Sequence, residues 1–108
     1  MSTLTTGWRT RPPRADGAKL PRVIVAEDDP DLRAVIVTAL RGMGYEPVEA
    51  RSGAELLDQL SDALLSGDPS RGPDLVISDV RMPGLTGLGI LTGLRQASWS
   101  RPFILMTA

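Results

Sequence analysis

The side chains that could do chemistry in this sequence follow three short apolar runs. They are Glu27, Asp28 and Asp29 after the first run, Asp79 after the second and Thr107 after the third. The 108 residues include no cysteine and no histidine, which excludes thiolate and imidazole metal sites, cysteine nucleophiles and Ser–His–Asp triads. Any chemistry must therefore rest on carboxylates, hydroxyls, backbone amides and a few cations.

Carboxylates gathered at one place repel each other and raise one another's pKa, and a bound divalent cation relieves that repulsion. Since only oxygen ligands are available, the expected cation is Mg²⁺, with Mn²⁺ or Ca²⁺ as substitutes. Mg²⁺ is usually held by one or two carboxylates together with phosphate oxygens and water, which favours phosphoryl chemistry. Asp79 stands apart from the first acidic group, and a lone carboxylate can act as the nucleophile that forms an aspartyl phosphate. Asp29 has a simpler interpretation as the N-cap of the following helix.

Four apolar segments alternate with three amphipathic ones, which predicts the order β-α-β-α-β-α-β. The predicted strands cover 22–26, 45–50, 74–78 and 102–106. In the first helix, apolar residues at helical spacing predict one inward-facing stripe, formed by Leu32, Val35, Ile36, Ala39, Leu40 and Met43. Short apolar strands joined by helices predict a parallel sheet covered on both faces, whose ligands lie beyond the carboxyl ends of the strands. The acidic groups and Thr107 should therefore meet at one edge of the sheet.

The composition, with 42% hydrophobic and 23% charged residues, is that of a single globular domain. The predicted organisation is a disordered basic arm at 1–21 followed by a domain at 22–108. The arm has either no role or a contact with an acidic partner or nucleic acid, and its few cations do not establish the latter. No apolar stretch has the length of a secretory signal or a membrane helix, so we expect a cytoplasmic protein without a membrane partner.

Three segments carry a resemblance to a known family. They cover 23–33 (VIVAEDDPDLR), 73–84 (PDLVISDVRMPG) and 102–108 (PFILMTA). Taken in this order, they resemble the receiver domain of bacterial response regulators in two-component signalling. The resemblance implies a flavodoxin-like doubly wound parallel sheet, here with four strands in the order 2-1-3-4 and three helices.

The resemblance also implies a role for each matching residue. Asp79 would be the phosphoacceptor, and Thr107 the hydroxyl residue that turns toward the phosphoryl group. Glu27, Asp28 and Asp79 would hold Mg²⁺ together with the backbone carbonyl of Arg81. The phosphoryl donor would be a histidine kinase, a phosphotransfer protein or a small acyl phosphate. Such a module would not be an enzyme beyond slow self-phosphorylation.

The sequence also departs from the family pattern. Family receivers have a fifth βα unit with a lysine that pairs with the phosphoryl oxygens, whereas the only lysine here is Lys19. We therefore expect a receiver domain cut short, without the fifth unit. An alternative is a non-phosphorylated binding module that pairs through its exposed sheet edge, for example as a homo-oligomer. A haloacid-dehalogenase-like phosphatase is disfavoured because Arg81 stands where that class needs a second acid.

Overall fold

A computed structural model describes residues 20–68 and 71–107 of the chain. The predicted arm falls almost wholly outside the described residues, as does Ala108. The described part forms four strands and three helices. In chain order they are β1 (Arg22–Ala26), α1 (Pro30–Gly42), β2 (Glu46–Ala50), α2 (Gly53–Ser66), β3 (Leu75–Asp79), α3 (Gly87–Gln96) and β4 (Phe103–Met106).

The four strands form one parallel sheet in the order β2-β1-β3-β4. This arrangement confirms the predicted α/β fold with its strand order 2-1-3-4. The central position of β1 explains its unbroken apolar sequence, because a strand between two neighbours under two helical layers is buried on both faces. Val23, Val25 and Ala26 are accordingly buried. Parallel pairing also places the carboxyl ends of all four strands at the same edge.

Each face of the sheet has its own apolar core. On one face, α2 and α3 cover Ile24 and Val76 of the sheet, and Leu56 of α2 belongs to the same core. On the other face, α1 covers Val23 and Val25. Because side chains alternate along a strand, β1 contributes to both cores and joins the two layers. In the described part of the chain, no helix is both long and apolar enough to cross a membrane.

The predicted apolar stripe of α1 is only partly correct. Leu32 and Val35 are 44% and 66% exposed, whereas Leu40 and Val37 are buried. The helix packs on β1 and β2, so only the arc of its surface that faces these strands is covered. The six apolar positions of the predicted stripe span a wider arc than this one contact can bury.

The predicted N-cap of α1 is confirmed. Asp29 Oδ1 accepts hydrogen bonds from the backbone N–H groups of Asp31 and Leu32, at 2.9 and 3.3 Å. Pro30 occupies the first turn, where its missing N–H costs nothing. The acidic segment after β1 therefore divides into a cap, Asp29, and two carboxylates that precede it.

Candidate functional site

Three carboxylates meet at the carboxyl ends of the two central strands. One oxygen from each of Glu27, Asp28 and Asp79 can be chosen so that all lie within 4.8 Å of one another. The register explains why: Ala26 pairs with Ser78, so the next residues along the two strands, Glu27 and Asp79, stand side by side. Glu27 is buried, Asp79 is half-buried and Asp28 is exposed. The cluster therefore opens to solvent on the Asp28 side.

Hydrogen bonds fix the turn between β1 and α1. The backbone N–H of Glu27 donates to the carbonyl of Ala50 on β2, at 3.0 Å. The backbone N–H of Asp29 donates to Glu27 Oε2, at 3.1 Å. Arg33 Nη1 donates to the Glu27 carbonyl oxygen at 2.7 Å. Glu27 is thus held through its amide, its carbonyl and one carboxylate oxygen.

The surroundings of Glu27 raise the pKa of its carboxyl group. Burial raises the pKa of the Glu27 carboxyl, and the negative charges of Asp79 and Asp28 raise it further, while the bond from the Asp29 N–H acts in the opposite direction. A cation placed among these carboxylates would offset their repulsion. The donor set is made of hard carboxylate oxygens at a suitable separation, so the residues present fit Mg²⁺.

Asp79 is positioned by its own strand and by the loop after it. The backbone N–H of Val80 donates to the Met106 carbonyl on β4 at 2.9 Å. The backbone N–H of Arg81 donates to Asp79 Oδ1 at 3.0 Å. Gly87 packs so closely behind Asp79 that a Cβ there would lie 2.4 Å from the Asp79 carbonyl oxygen. In the turn between them, Gly84 has a φ of 79°, a left-handed conformation that favours glycine.

The remaining predicted site residues lie at the same edge of the sheet. Asp79 pairs with Met106 in the β3–β4 register, so Thr107 lies one residue beyond the level of Asp79. Thr107 is exposed. Arg81 is also exposed and begins a loop that borders an open recess of about 520 Å³. The roles of Arg81 and Thr107 remain predictions.

Sequence reasoning missed two residues beneath the site. The first is Arg33, whose side chain is only 11% exposed. The sequence signal was its position four residues after the N-cap Asp29. A basic residue one helical turn after a cap can reach back to the end of the preceding strand. The second is Ser78, a fully buried hydroxyl that donates to the Asp79 carbonyl at 3.0 Å.

The fold and this acidic edge agree with a comparison against known families. The sequence model of the response regulator receiver domain matches residues 23–108. The chain therefore belongs to the response regulator receiver family. It carries the three acidic residues of the cluster and Thr107 within the matched range.

Among curated relatives, the chain is 38% identical over 86 residues to the DNA-binding transcriptional regulator NtrC of Escherichia coli (strain K12). That match covers 80% of this chain and 17% of NtrC. It is 36% identical over 92 residues to the transcriptional regulatory protein PrrA of Mycobacterium tuberculosis, covering 85% of this chain and 36% of PrrA. The chain therefore spans about a sixth to a third of the length of these relatives.

Solved structures show the same fold. The response regulator TrrA of Thermotoga maritima, in complex with Mg²⁺ and BeF, has a TM-score of 0.71 and 31% identity. The match covers 82% of this chain and 70% of TrrA. A complex of the histidine kinase ThkA with TrrA gives a TM-score of 0.69 at the same identity and coverage. The two structures therefore show one response regulator, TrrA, once with Mg²⁺ and BeF and once with a histidine kinase.

Proposed function

We propose that this receiver domain accepts a phosphoryl group on Asp79, with Mg²⁺, from a histidine kinase or phosphotransfer protein. The observation that carries the proposal is the convergence of Glu27, Asp28 and Asp79 within 4.8 Å at the ends of β1 and β3. The neighbour structures with Mg²⁺–BeF and with a histidine kinase support it. The chain would act in the cytoplasm, as an acceptor rather than as an enzyme with a separate substrate.

In the proposed reaction, one oxygen of the Asp79 carboxylate forms a bond to phosphorus. The P–N bond of a phosphohistidine, or the P–O bond of a small acyl phosphate, breaks at the same centre. The electron pair of the broken bond remains on the donor, and the product on this chain is an aspartyl phosphate. The Arg81 N–H holds Asp79 Oδ1, which fixes the carboxylate for attack through its other oxygen.

Glu27, Asp28 and Asp79, with the Arg81 carbonyl, would hold the metal ion. When bound, Mg²⁺ neutralises charge on the carboxylates and on the phosphoryl oxygens. Thr107 directly follows β4, one residue beyond the Asp79 level, and its hydroxyl would turn toward the new phosphoryl group. The loop of residues 80–86 would then be free to follow the change in charge at Asp79.

Labelling with a small acyl phosphate tests the proposal. With Mg²⁺, intact-mass measurement should show one added phosphoryl group on the parent chain and none on Asp79→Asn. Asp58→Asn, which changes an exposed carboxylate on α2, is the matched control and should label like the parent. Equal labelling of the parent and Asp79→Asn would identify another acceptor and contradict the proposal.

The labelling should be slow. The family's lysine neutralises charge that develops on the phosphoryl oxygens, and the only lysine in this sequence is Lys19. Removing one such donor typically lowers a rate by about 10²–10³-fold. A rate equal to that of a receiver that carries the lysine would show that another group of this chain supplies the missing charge.

A second candidate function is protein binding through β4 without phosphorylation. The observation that favours it is the exposure of Ile104, which is 48% exposed on a strand at the edge of the described sheet. An apolar edge strand can add a strand from a partner or from a second copy. Under this alternative, Asp79→Asn leaves partner binding unchanged.

A further inference from the structure

Arg33 is a basic residue whose side chain contacts the turn that carries Glu27 and Asp28. It stands in the first turns of α1, four residues after the cap, and its own N–H donates to the Asp29 carbonyl at 2.9 Å. Its side chain is only 11% exposed. A guanidinium is seldom buried to this extent unless its N–H groups are bonded, so its contacts indicate what it does.

The guanidinium bonds to two separate segments of the chain, β2 and the turn after β1. Nη1 donates to the backbone carbonyl of Glu27 at 2.7 Å, and Nε donates to the Glu49 carboxylate at 2.9 Å. Glu49 belongs to β2 and pairs in register with Val25 of β1. Arg33 therefore connects the second strand of the sheet to the turn that follows the first.

The bond to Glu27 is made to the backbone, which leaves the Glu27 and Asp28 side chains to the acidic cluster. The carbonyl of Glu27 belongs to the peptide unit that links Glu27 to Asp28. Holding this peptide unit sets the direction in which both side chains leave the backbone. Arg33 thus acts on the carboxylates through the turn that carries them.

We infer that Arg33 is a positioning residue for the metal site, because its clamp on the Glu27 carbonyl orients Glu27 and Asp28 toward Asp79. The inference rests on the proposed Mg²⁺ site. Mg²⁺ requires near-octahedral geometry at short distances, whereas Ca²⁺ accepts a wider range of geometries. Loss of the clamp should therefore weaken Mg²⁺ binding more than Ca²⁺ binding.

A purely electrostatic role predicts the opposite sign. A positive charge near a cation site disfavours the cation, so neutralising Arg33 would then tighten Mg²⁺ binding. A purely structural role predicts a lower unfolding temperature with an unchanged Mg²⁺ affinity and an unchanged ratio of Mg²⁺ to Ca²⁺ affinity. The three roles are therefore separated by the sign of the change and by that ratio.

The experiment titrates the full chain with Mg²⁺ and, separately, with Ca²⁺ while backbone amide shifts are followed by NMR. In Arg33→Gln we expect the Mg²⁺ dissociation constant to rise about tenfold, as is typical when a residue that orients a metal ligand is lost, and the Ca²⁺ constant to rise less. Glu49→Gln is the control: its amide oxygen can still accept the Nε bond, so both affinities should stay within about twofold of the parent.

Arg33→Met is the second variant, because it keeps the apolar stem and removes the guanidinium with its bonds to both Glu27 and Glu49. It should fold and show the same selective loss of Mg²⁺. If either folded variant binds Mg²⁺ as tightly as the parent or more tightly, or loses both cations equally, the inference is wrong while the proposed site stands. If the parent itself does not bind Mg²⁺, the proposed site and the inference both fall.

Discussion

At the scale of single residues, Glu27 combines two unfavourable conditions. The residue is 2% exposed, and carboxylate oxygens of Asp28 and Asp79 lie within 4.8 Å of one of its own. A buried charge of this kind is costly unless it is compensated. The proposed function accounts for this arrangement, since the same repulsion among the carboxylates would favour binding of a divalent cation.

This arrangement predicts a pH dependence of stability. The pKa of Glu27 in the folded chain lies above its ordinary value of 4.5, chiefly because of burial, so the folded chain binds this proton more tightly than the unfolded chain does. The contribution to stability is therefore complete below the unfolded pKa and is lost as the pH rises through the raised folded pKa. Urea unfolding without Mg²⁺, between about pH 4 and about pH 8, measures this loss.

Glu27→Gln should remove this pH dependence and raise the free energy of unfolding at neutral pH without metal. Glu46→Gln changes an exposed glutamate and should leave the pH profile as it is in the parent. Saturating Mg²⁺ should reduce the difference between the parent and Glu27→Gln. If the difference in stability between the parent and Glu27→Gln does not change across this range, the prediction is wrong.

At the scale of elements, the start of α3 presses against the end of β3. A Cβ at Gly87 would lie 2.4 Å from the Asp79 carbonyl and 2.8 Å from the Ser78 hydroxyl. The first of these contacts is with backbone, which cannot rotate away. Gly87, the first residue of α3, therefore allows α3 to approach the end of β3 this closely.

Gly87→Ala should therefore lower the free energy of unfolding by about 1–3 kcal/mol, as overpacking typically does. Gly93→Ala is the control within the same helix, since a Cβ there meets nothing within 4 Å. It should raise the free energy of unfolding by about 0.5–1 kcal/mol, because alanine is the better helix former. Chemical denaturation of the two variants checks both values, and equal effects would contradict the close approach at Gly87.

The start of α2 forms only half of the capping box that Ser52-Gly53-Ala54-Glu55 predicts, in which Ser52 and Glu55 would each accept the other's backbone N–H. Ser52 accepts a bond from the Glu55 N–H at 3.1 Å, as a capping box requires. Glu55, however, accepts from the N–H of Arg51 at 2.9 Å and pairs with the Arg51 guanidinium at 2.8 Å. The Glu55 carboxylate therefore bonds the exposed Arg51, whereas a complete capping box would have it bond the Ser52 N–H. The contact with Arg51 also lowers the pKa of Glu55.

At the scale of the whole molecule, the two apolar cores share the central strands, and β4 lies at one edge of the described sheet. Ile104 of β4 is 48% exposed. An apolar edge strand with backbone groups open to pairing promotes association. We therefore expect the chain to self-associate through β4 at micromolar concentration.

Size-exclusion chromatography with light scattering tests this expectation. Ile104→Lys should shift the chain toward the monomer, because a charge on an edge strand opposes strand addition. Val35→Lys replaces an apolar residue of α1 that is 66% exposed and lies away from this edge, so it should associate like the parent. A sharp monomer peak for the parent, at 11.6 kDa, would show that the edge does not pair.

The sequence by itself determined the element order and the chemistry that is available. Unbroken apolar runs between amphipathic segments predicted a parallel sheet covered on both faces, whereas the strand order 2-1-3-4 was implied by the resemblance to receiver domains. The lack of histidine and cysteine limited the possible ligands to oxygen. The capping role of Asp29 was also readable, because its partners lie two and three residues away in the chain.

Only the tertiary structure decided which distant groups meet. The pairing of Ala26 with Ser78 brings Glu27 beside Asp79, and the rotation of α1 exposes Leu32 and Val35. The contact of Arg33 with Glu27 and Glu49 likewise depends on how α1 sits on the sheet. Local patterns report which face of an element is apolar, whereas register, helix rotation and close approach are set by packing between segments that are far apart in the chain.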